Sequence, residues 1–241
     1  MEDIRGNLEK VHGRIRTAAE GAGRNESDVC LVAVSKTRTP EEINTAIDAG
    51  VTDIGENKVQ EIMDKYDAIK PVRWHMIGHL QTNKVKYIID KVDLIHSVDS
   101  MKLAKEINKR AAQHDKVMDI LIQINPADEE SKFGVSLSET KALLDEILEN
   151  CENIRIRCLM SVAPIAEDPN DVKVYFDEVK KQYDEFSRIE HPRLDFQYLS
   201  MGMSHDFEVA IGSGSNLIRV GSAIFGERDY EAFRRMNNGG N

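Results

Sequence analysis

The stretch VCLVAVSKTRTPEEINTAIDAGVTDIGEN, residues 29–57, decides the fold. It opens with VCLVAVS, 29–35, a β-rich apolar run short enough to be a buried strand. PEEINTAIDAG, 40–50, follows. Pro40 suits a first helical turn, acids stand behind it, and Gly50 stops it. TDIGE, 52–56, is then a second short strand. Strand, helix and strand in so short a span form a βαβ unit, which implies parallel pairing.

Outward from this unit the pattern repeats. A helix is expected over about 58–69, a strand at RWHMIG, 73–78, and a helix at NKVKYIIDK, 83–91. DLIHSV, 93–98, reads as a strand, and Asp99 or Ser100 can cap a helix over about 101–114. VMDILIQIN, 117–125, is a strand, followed by a polar loop and a helix over about 138–150 that Ser138 could cap. IRIRCLMS, 154–161, is a strand, and DVKVYFDEVKKQYDEFSRI, 171–189, a long amphipathic helix. DFQYLSM, 195–201, is a strand, a short helix follows Ser204, and LIRVGSAIFG, 217–226, is the last strand with its exit. Upstream, Ile4, Leu8, Val11 and Ile15 are spaced by four, three and four. That spacing makes an amphipathic helix from about Asp3 to Ala22, halted by Gly21 and Gly23.

Eight strand–helix units after one extra N-terminal helix fit an α/β fold, a single (β/α)8 TIM barrel. The rival is an open doubly wound sheet. Its glycine-rich fingerprint is missing from the first strand–helix turn, SKTRTP. The barrel is expected to span 1–235, with MNNGGN, 236–241, a disordered tail.

Composition narrows the function. The chain has 241 residues, with 32 Lys+Arg against 42 Asp+Glu and a net charge of −10. That balance argues against nucleic acid, which needs a basic footprint, and against an anionic membrane surface. No run approaches the roughly 18 apolar residues of a spanning helix. The opening MEDIRGNLEK lacks the apolar core of a signal peptide. Cys30, Cys151 and Cys158 are odd in number and form no CxxC pair. They read as structural thiols in a reducing cytoplasm.

A barrel places its chemistry at the C-terminal ends of its strands. Read in order, those ends carry Lys36, Glu56 and Asn57, Gly78 and His79, Ser97 and Asp99, Asn125, Met160 and Ser161, Ser200 to Met203, and Arg219 to Ser222. Lys36 ends an apolar strand and shares a face with Val32 and Val34. Desolvation there would free a neutral amine to attack carbonyls; the alternative is a lysine paired with a carboxylate such as Glu56. SMGMSHD after strand seven and Gly221–Ser222 after strand eight suit a phosphate site built from backbone N–H groups and hydroxyls. Asp206 and Glu208 would repel an anion there unless they point away. The alternative is ordinary loop glycines with Ser204 as a cap. GSGS, 212–215, reads as a helix stop and turn.

Arg219 shares a face with Gly221 and must meet an acceptor, in a site or in a structural pair with a carboxylate. His75 and His79 are four apart across a strand end, so they share no helical face and no metal is expected. Trp74 reads as packing. The loop NPADEESKFGV, 125–135, is long enough for a lid, although a solvated connection is the default.

Several multi-residue segments carry a resemblance. WHMIGHLQTNKVKYI, 74–88, LVAVSKT, 31–37, DIGENKVQE, 53–61, SMGMSHDFEVAI, 200–211, and LIRVGSAIFGERDY, 217–230, occur in that family's motifs and together span nearly the whole chain. The sequence resembles the pyridoxal phosphate homeostasis proteins. The resemblance implies a monomeric barrel of the alanine-racemase type that binds pyridoxal 5′-phosphate (PLP). It implies a Schiff base on Lys36, phosphate held by Ser200 and the Gly221–Ser222 turn, and Arg219 facing the pyridine nitrogen. Asn57 and His79 would lie near the cofactor, and Met201, Gly202, Met203 and Ser204 match the motif beside the phosphate. An arginine at the ring nitrogen leaves the pyridine neutral, a weaker electron sink than a protonated one.

Two functions follow from this. The first is a carrier that holds PLP and delivers it to cofactor-accepting apo-enzymes. The second is a PLP-dependent racemase, which needs an acid/base group on each face of the substrate. The related racemases draw the second group, a tyrosine, from a partner's added domain. Here about 15 residues follow strand eight, and none of the six tyrosines falls at a strand end. The carrier reading is favoured. A third class, a Schiff-base aldolase using Lys36 without cofactor, fits the segment matches less well.

Overall fold

The computed structural model describes residues 3–129 and 131–227. The strands are β1 (Cys30–Val34), β2 (Asp53–Glu56), β3 (Arg73–Met76), β4 (Leu94–Val98), β5 (Met118–Ile124), β6 (Ile154–Ser161), β7 (Leu194–Met203) and β8 (Leu217–Val220). Each pairs in parallel with the next, and β8 closes on β1. Around them lie α1 (Ile4–Gly21), α2 (Pro40–Asp48), α3 (Val59–Lys65), α4 (Met101–Gln113), α5 (Leu137–Asn150), α6 (Lys173–Phe186), α7 (Phe207–Gly212) and α8 (Ser222–Phe225). The expected TIM barrel and its extra helix are therefore present. The expected upper boundary at 235, Tyr230 and the tail 236–241 lie outside the described residues.

Alternation along the strands sorts side chains into two apolar clusters. Ala33, Ile95, Ile120, Leu159 and Ile218 belong to a large cluster shared with the helices. Their neighbours Val32, Leu94, Leu121, Met160 and Leu217 form a separate small one. Successive strand residues point to opposite faces, so the small cluster is the barrel interior and the large one the barrel–helix layer. Ile4, Leu8, Val11, Ile15 and Ala19 bury one stripe of α1, as their spacing predicts. Asn7 Nδ2 of α1 donates to the Ile224 carbonyl of α8, 3.1 Å away.

Some local expectations change. Residues 83–91 are not an α-helix: Thr82–Tyr87 is 3₁₀, followed by a turn. Val85, Ile88 and Ile89 are all fully buried, and the three-residue spacing of Val85 and Ile88 suits a 3₁₀ face. The helix expected over 58–69 is α3 continued by a 3₁₀ turn, Tyr66–Ala68. Ser136, not Ser138, caps α5, through a box with Glu139 that satisfies both backbone ends. Of the two candidates for α4, Ser100 is the cap. Gly214, with φ of +97°, makes the turn expected of GSGS. The three cysteines are free, Cys151 and Cys158 fully buried, and burial pushes the Cys30 thiol up to about 12. No helix among the described residues is long and apolar enough to cross a membrane.

Candidate functional site

The interior phase of β1 and β8 continues past their ends. Lys36 follows Val32 and Val34, and Arg219 and Gly221 follow Leu217. They meet at a cavity of about 340 Å³ at the C-terminal mouth of the barrel. That size lies near the lower end of the roughly 300–1,000 Å³ common for small-molecule sites. Lys36, Asn57, Met203, Arg219, Gly221 and Ser222 line it, all of them expected from sequence. Val34, Arg38, Ile77, Val162, Ser204 and His205 complete the wall. Arg38 and His205 lie on loops and carry no strand periodicity, so the sequence reading missed them.

The wall is electrostatically one-sided. Among the described residues, Lys36, Arg38 and Arg219 are its fixed charges and no carboxylate lines it. Arg38 is partly compensated, by Glu42 at 3.5 Å and by donation to the Gly226 carbonyl at 2.6 Å. Arg219 is buried and donates to the Ser161 carbonyl at 2.8 Å and to Ser200 Oγ. Neither partner is a carboxylate, so the structural ion pair considered from sequence is not what holds it. Burial pulls its guanidinium down to about 10, against the opposing charge of Asp206, and it stays cationic at neutral pH.

The loop that presents Lys36 is anchored from behind. Ser35 and Glu56 point into the helix layer, where Ser35 Oγ donates to Glu56 Oε1 at 2.7 Å. Lys65 Nζ of α3 donates to Glu56 Oε1 at 2.9 Å, Glu61 Oε2 at 2.8 Å and the Ser35 carbonyl at 3.1 Å. Glu61 Oε2 also accepts the Thr37 N–H at 2.6 Å, fixing a residue with φ of +65°. Glu56 is thus the ion-pair partner of Lys65. Burial raises its carboxyl to about 7, with Lys65 opposing. Asn57 is placed by a close approach: a Cβ on Gly78 would sit 2.3 Å from the Asn57 carbonyl oxygen.

The turn after β8 is a set of donors. Gly221 N–H and Ala223 N–H both point at Ser204 Oγ, at 3.1 and 3.5 Å. The two acids that threatened this region face elsewhere. Asp206 Oδ1 accepts the Met203 N–H at 2.6 Å, and Glu208 pairs with Arg14 of α1 at 2.6 Å. The cap position of α7 is Asp206, so Ser204 does not cap α7.

Four expected residues do not line the cavity. Ser200 is fully buried below Arg219, its hydroxyl engaged by Arg219 and lying 3.2 Å from His96 Nδ1. Met201 belongs to the barrel–helix layer. Gly202 has φ of +92°, and a Cβ there would sit 2.7 Å from Ala210 Cβ, so it brings β7 against α7. His79 stacks on Phe133 with ring centroids 3.8 Å apart and lies 4.0 Å from Asp99, whose carboxyl burial raises. The 125–135 loop is tied back to β5 rather than left solvated. Gln123 Nε2 donates to the Phe133 carbonyl at 3.1 Å, and Asn125 Nδ2 to the Glu129 carbonyl at 2.9 Å. Trp74 packs as expected, 5.6 Å from the Tyr66 ring. His75 is directed inward to Asp53 and His96, away from His79. No group of three or more metal-ligating residues is assembled among the described residues.

Comparison with known proteins agrees with this geometry. Residues 7–229 match the family described as alanine racemase, N-terminal domain. A pyridoxal phosphate homeostasis protein of Aquifex aeolicus is 46% identical over 225 residues, covering 92% of this chain and 97% of that protein. That of Escherichia coli K12 is 38% identical over 242 residues, covering 95% and 99%. The structure of PipY from Synechococcus elongatus PCC7942, with PLP bound, superposes with a TM-score of 0.80 at 29% identity, covering 93% of this chain and all of that one. Alanine racemase of Clostridium difficile shares the fold, with a TM-score of 0.69 at 15% identity, over 60% of its length. The barrel, the ring of polar residues at its mouth and these full-length relatives together make this chain a member of the alanine racemase N-terminal domain family, among the pyridoxal phosphate homeostasis proteins.

Proposed function

We propose that this chain binds PLP at the mouth of the barrel, covalently through the Lys36 amine, and serves to hold the cofactor and pass it to apo-enzymes. The observation that carries this reading is the cavity wall. In a protein of net charge −10, three fixed cations line one small cavity and, among the described residues, no carboxylate does. That wall suits a ligand bearing a phosphate dianion.

The donor set fits the parts of the cofactor. Gly221 and Ala223 N–H already converge on one hydroxyl oxygen, that of Ser204, and would converge equally on a phosphate oxygen. The Ser222 and Ser204 hydroxyls lie on the same wall and can donate. Lys36, just past the end of β1, the strand that adjoins β8, supplies the amine. Asn57, just past the end of β2, lines the same cavity. Arg219 is a donor only and holds its own protons, so a ring nitrogen against it accepts a hydrogen bond and stays unprotonated. Ser200, assigned to phosphate by resemblance, acts instead through Arg219. Bound PLP supplies an electrophilic aldehyde and, in its enzymes, an electron sink that a neutral ring weakens.

A carrier fits better than a racemase. No tyrosine among the described residues lines the cavity, and a racemase needs a second acid/base group across from the lysine. The free thiols suit the reducing cytoplasm.

The test is an absorption spectrum of the purified protein, followed by borohydride reduction and peptide mapping. A visible band that reduces onto the peptide carrying Lys36 is expected. A colourless protein that takes up no added PLP would remove the reading. Amino-acid turnover by the loaded protein would move the racemase reading to the front.

A further inference from the structure

A chain of polar side chains runs through the barrel interior that PLP binding alone does not explain. His75 Nε2 lies 2.9 Å from Asp53 Oδ1, at the N-terminal floor of the barrel. His75 Nδ1 lies 2.9 Å from His96 Nε2. His96 Nδ1 lies 3.2 Å from Ser200 Oγ, which accepts from Arg219 Nη1 at the cavity. All five residues are at most 4% exposed. They thread from floor to mouth past the small apolar cluster of Val32, Leu94, Leu121, Met160 and Leu217.

One arrangement of protons satisfies every link with both rings neutral. Arg219 can only donate, so Ser200 Oγ accepts from it and its own hydrogen points to His96 Nδ1. His96 is then neutral with its proton on Nε2, which it donates to His75 Nδ1. His75 is neutral too, and its Nε2–H meets the Asp53 carboxylate. The other assignments have His96 Nδ1–H donating to Ser200 and make either His75 or His96 an imidazolium. At His75 it would be a second cation on a carboxylate that already binds Arg73 at 2.6 Å, in an interior that also holds Arg219. Burial pushes the His96 imidazole well below its ordinary value, in keeping with the neutral form. On Asp53, burial is outweighed by hydrogen bonds from His75 and Thr52 and by the charges of His75, when protonated, and Arg73, and the carboxyl is held below its usual range.

We propose that Asp53, His75, His96 and Ser200 are positioning residues. They form a one-directional hydrogen-bond chain that fixes the Arg219 guanidinium at the cavity and links it to the Asp53 carboxylate at the barrel floor. No proton changes owner; the chain orients and polarises. Its effect on cofactor rests on the PLP reading above, whereas its proton arrangement does not.

The first test uses the wild-type protein without cofactor. Histidine labelled with ¹⁵N is observed by long-range proton–nitrogen correlation at neutral pH. Two of the seven histidines should be neutral with the proton on Nε2, and should be assigned to His75 and His96. Ser200→Ala should move the His96 Nδ1 signal, and Asp53→Asn the His75 Nε2 signal. A proton on Nδ1 of either ring, or an imidazolium at His75, overturns the chain as drawn.

The second test titrates PLP into apo protein. Ser200→Ala and Asp53→Asn should each weaken retention by about three- to thirtyfold, the range for residues acting through a network. Ser200→Thr should restore it. The double variant should be no weaker than the poorer single one, because both cut the same chain. Additive losses overturn the proposal. A wild type with the expected histidine signals but no PLP uptake refutes the cofactor reading and leaves the chain standing.

Discussion

The two faces of the barrel wall are built from opposite chemistry. On the outer face, Ala33, Ile95, Ile120, Leu159 and Ile218 join one continuous apolar layer with the helices. On the inner face, five apolar side chains share the space with Asp53, His75, His96, Ser200 and Arg219. Residues adjacent in one strand therefore serve different ends. The outer layer holds the fold by burial, which is non-directional and punishes cavities. The inner column gives up apolar contact for directed hydrogen bonds, and such a network is stable only when every member is satisfied. Stability should respond mainly to the first region and ligand retention mainly to the second.

Four substitutions break or sharpen that contrast. Phe176→Ala, at a fully buried site of α6, should cost about 3–5 kcal/mol in urea denaturation. The folded fraction should still take up PLP. A cost under about 1 kcal/mol would mean that the outer layer repacks and the contrast fails.

Gly202→Ala should cost about 1–3 kcal/mol, since the new methyl meets Ala210 and Phe207 in a backbone with φ of +92°. Equal stability would show that β7 can move away from α7.

Glu56→Gln tests the buried charge behind Lys36. The raised carboxyl means that the native state holds this proton more tightly than the unfolded chain. Wild type should then lose stability as pH rises from about 4.5 to about 7, and the variant should not. The difference should reach about 3 kcal/mol across that window. Parallel pH profiles for the two proteins would assign Glu56 an ordinary carboxyl.

Lys36→Ala should have the smallest effect on stability, within about 1 kcal/mol, because its amine lies in the mouth and outside both apolar clusters. It should abolish borohydride-stable cofactor. Trapping of PLP on another lysine, such as Lys58 or Lys84, would relocate the attachment point.

Much of this was legible in the chain. Strands β1 and β2 with α2 between them show both periodicities, so the βαβ unit, and by repetition the barrel, follow from local patterning. Lys36 and Arg219 were legible because a charge at the end of an apolar strand has few places to go. The 3₁₀ turn at Thr82–Tyr87 was not, since its apolar residues match a helical window and only packing selects the tighter turn. Met201 and Gly202 fall in a motif beside the site but face the outer layer, a matter of strand phase that a motif does not report.

The sequence by itself determined the eight strands, their parallel order and six of the residues at the mouth, because each rests on patterning between near neighbours along the chain. Only the tertiary structure decided that Glu56 pairs with Lys65, that Asp206 and Glu208 turn from the cavity, and that Ser200 meets His96 from 104 positions away. Those partners lie on different strands and helices. Closing the barrel is what brings them within hydrogen-bond reach, and burial then makes each choice of partner costly to leave unmade.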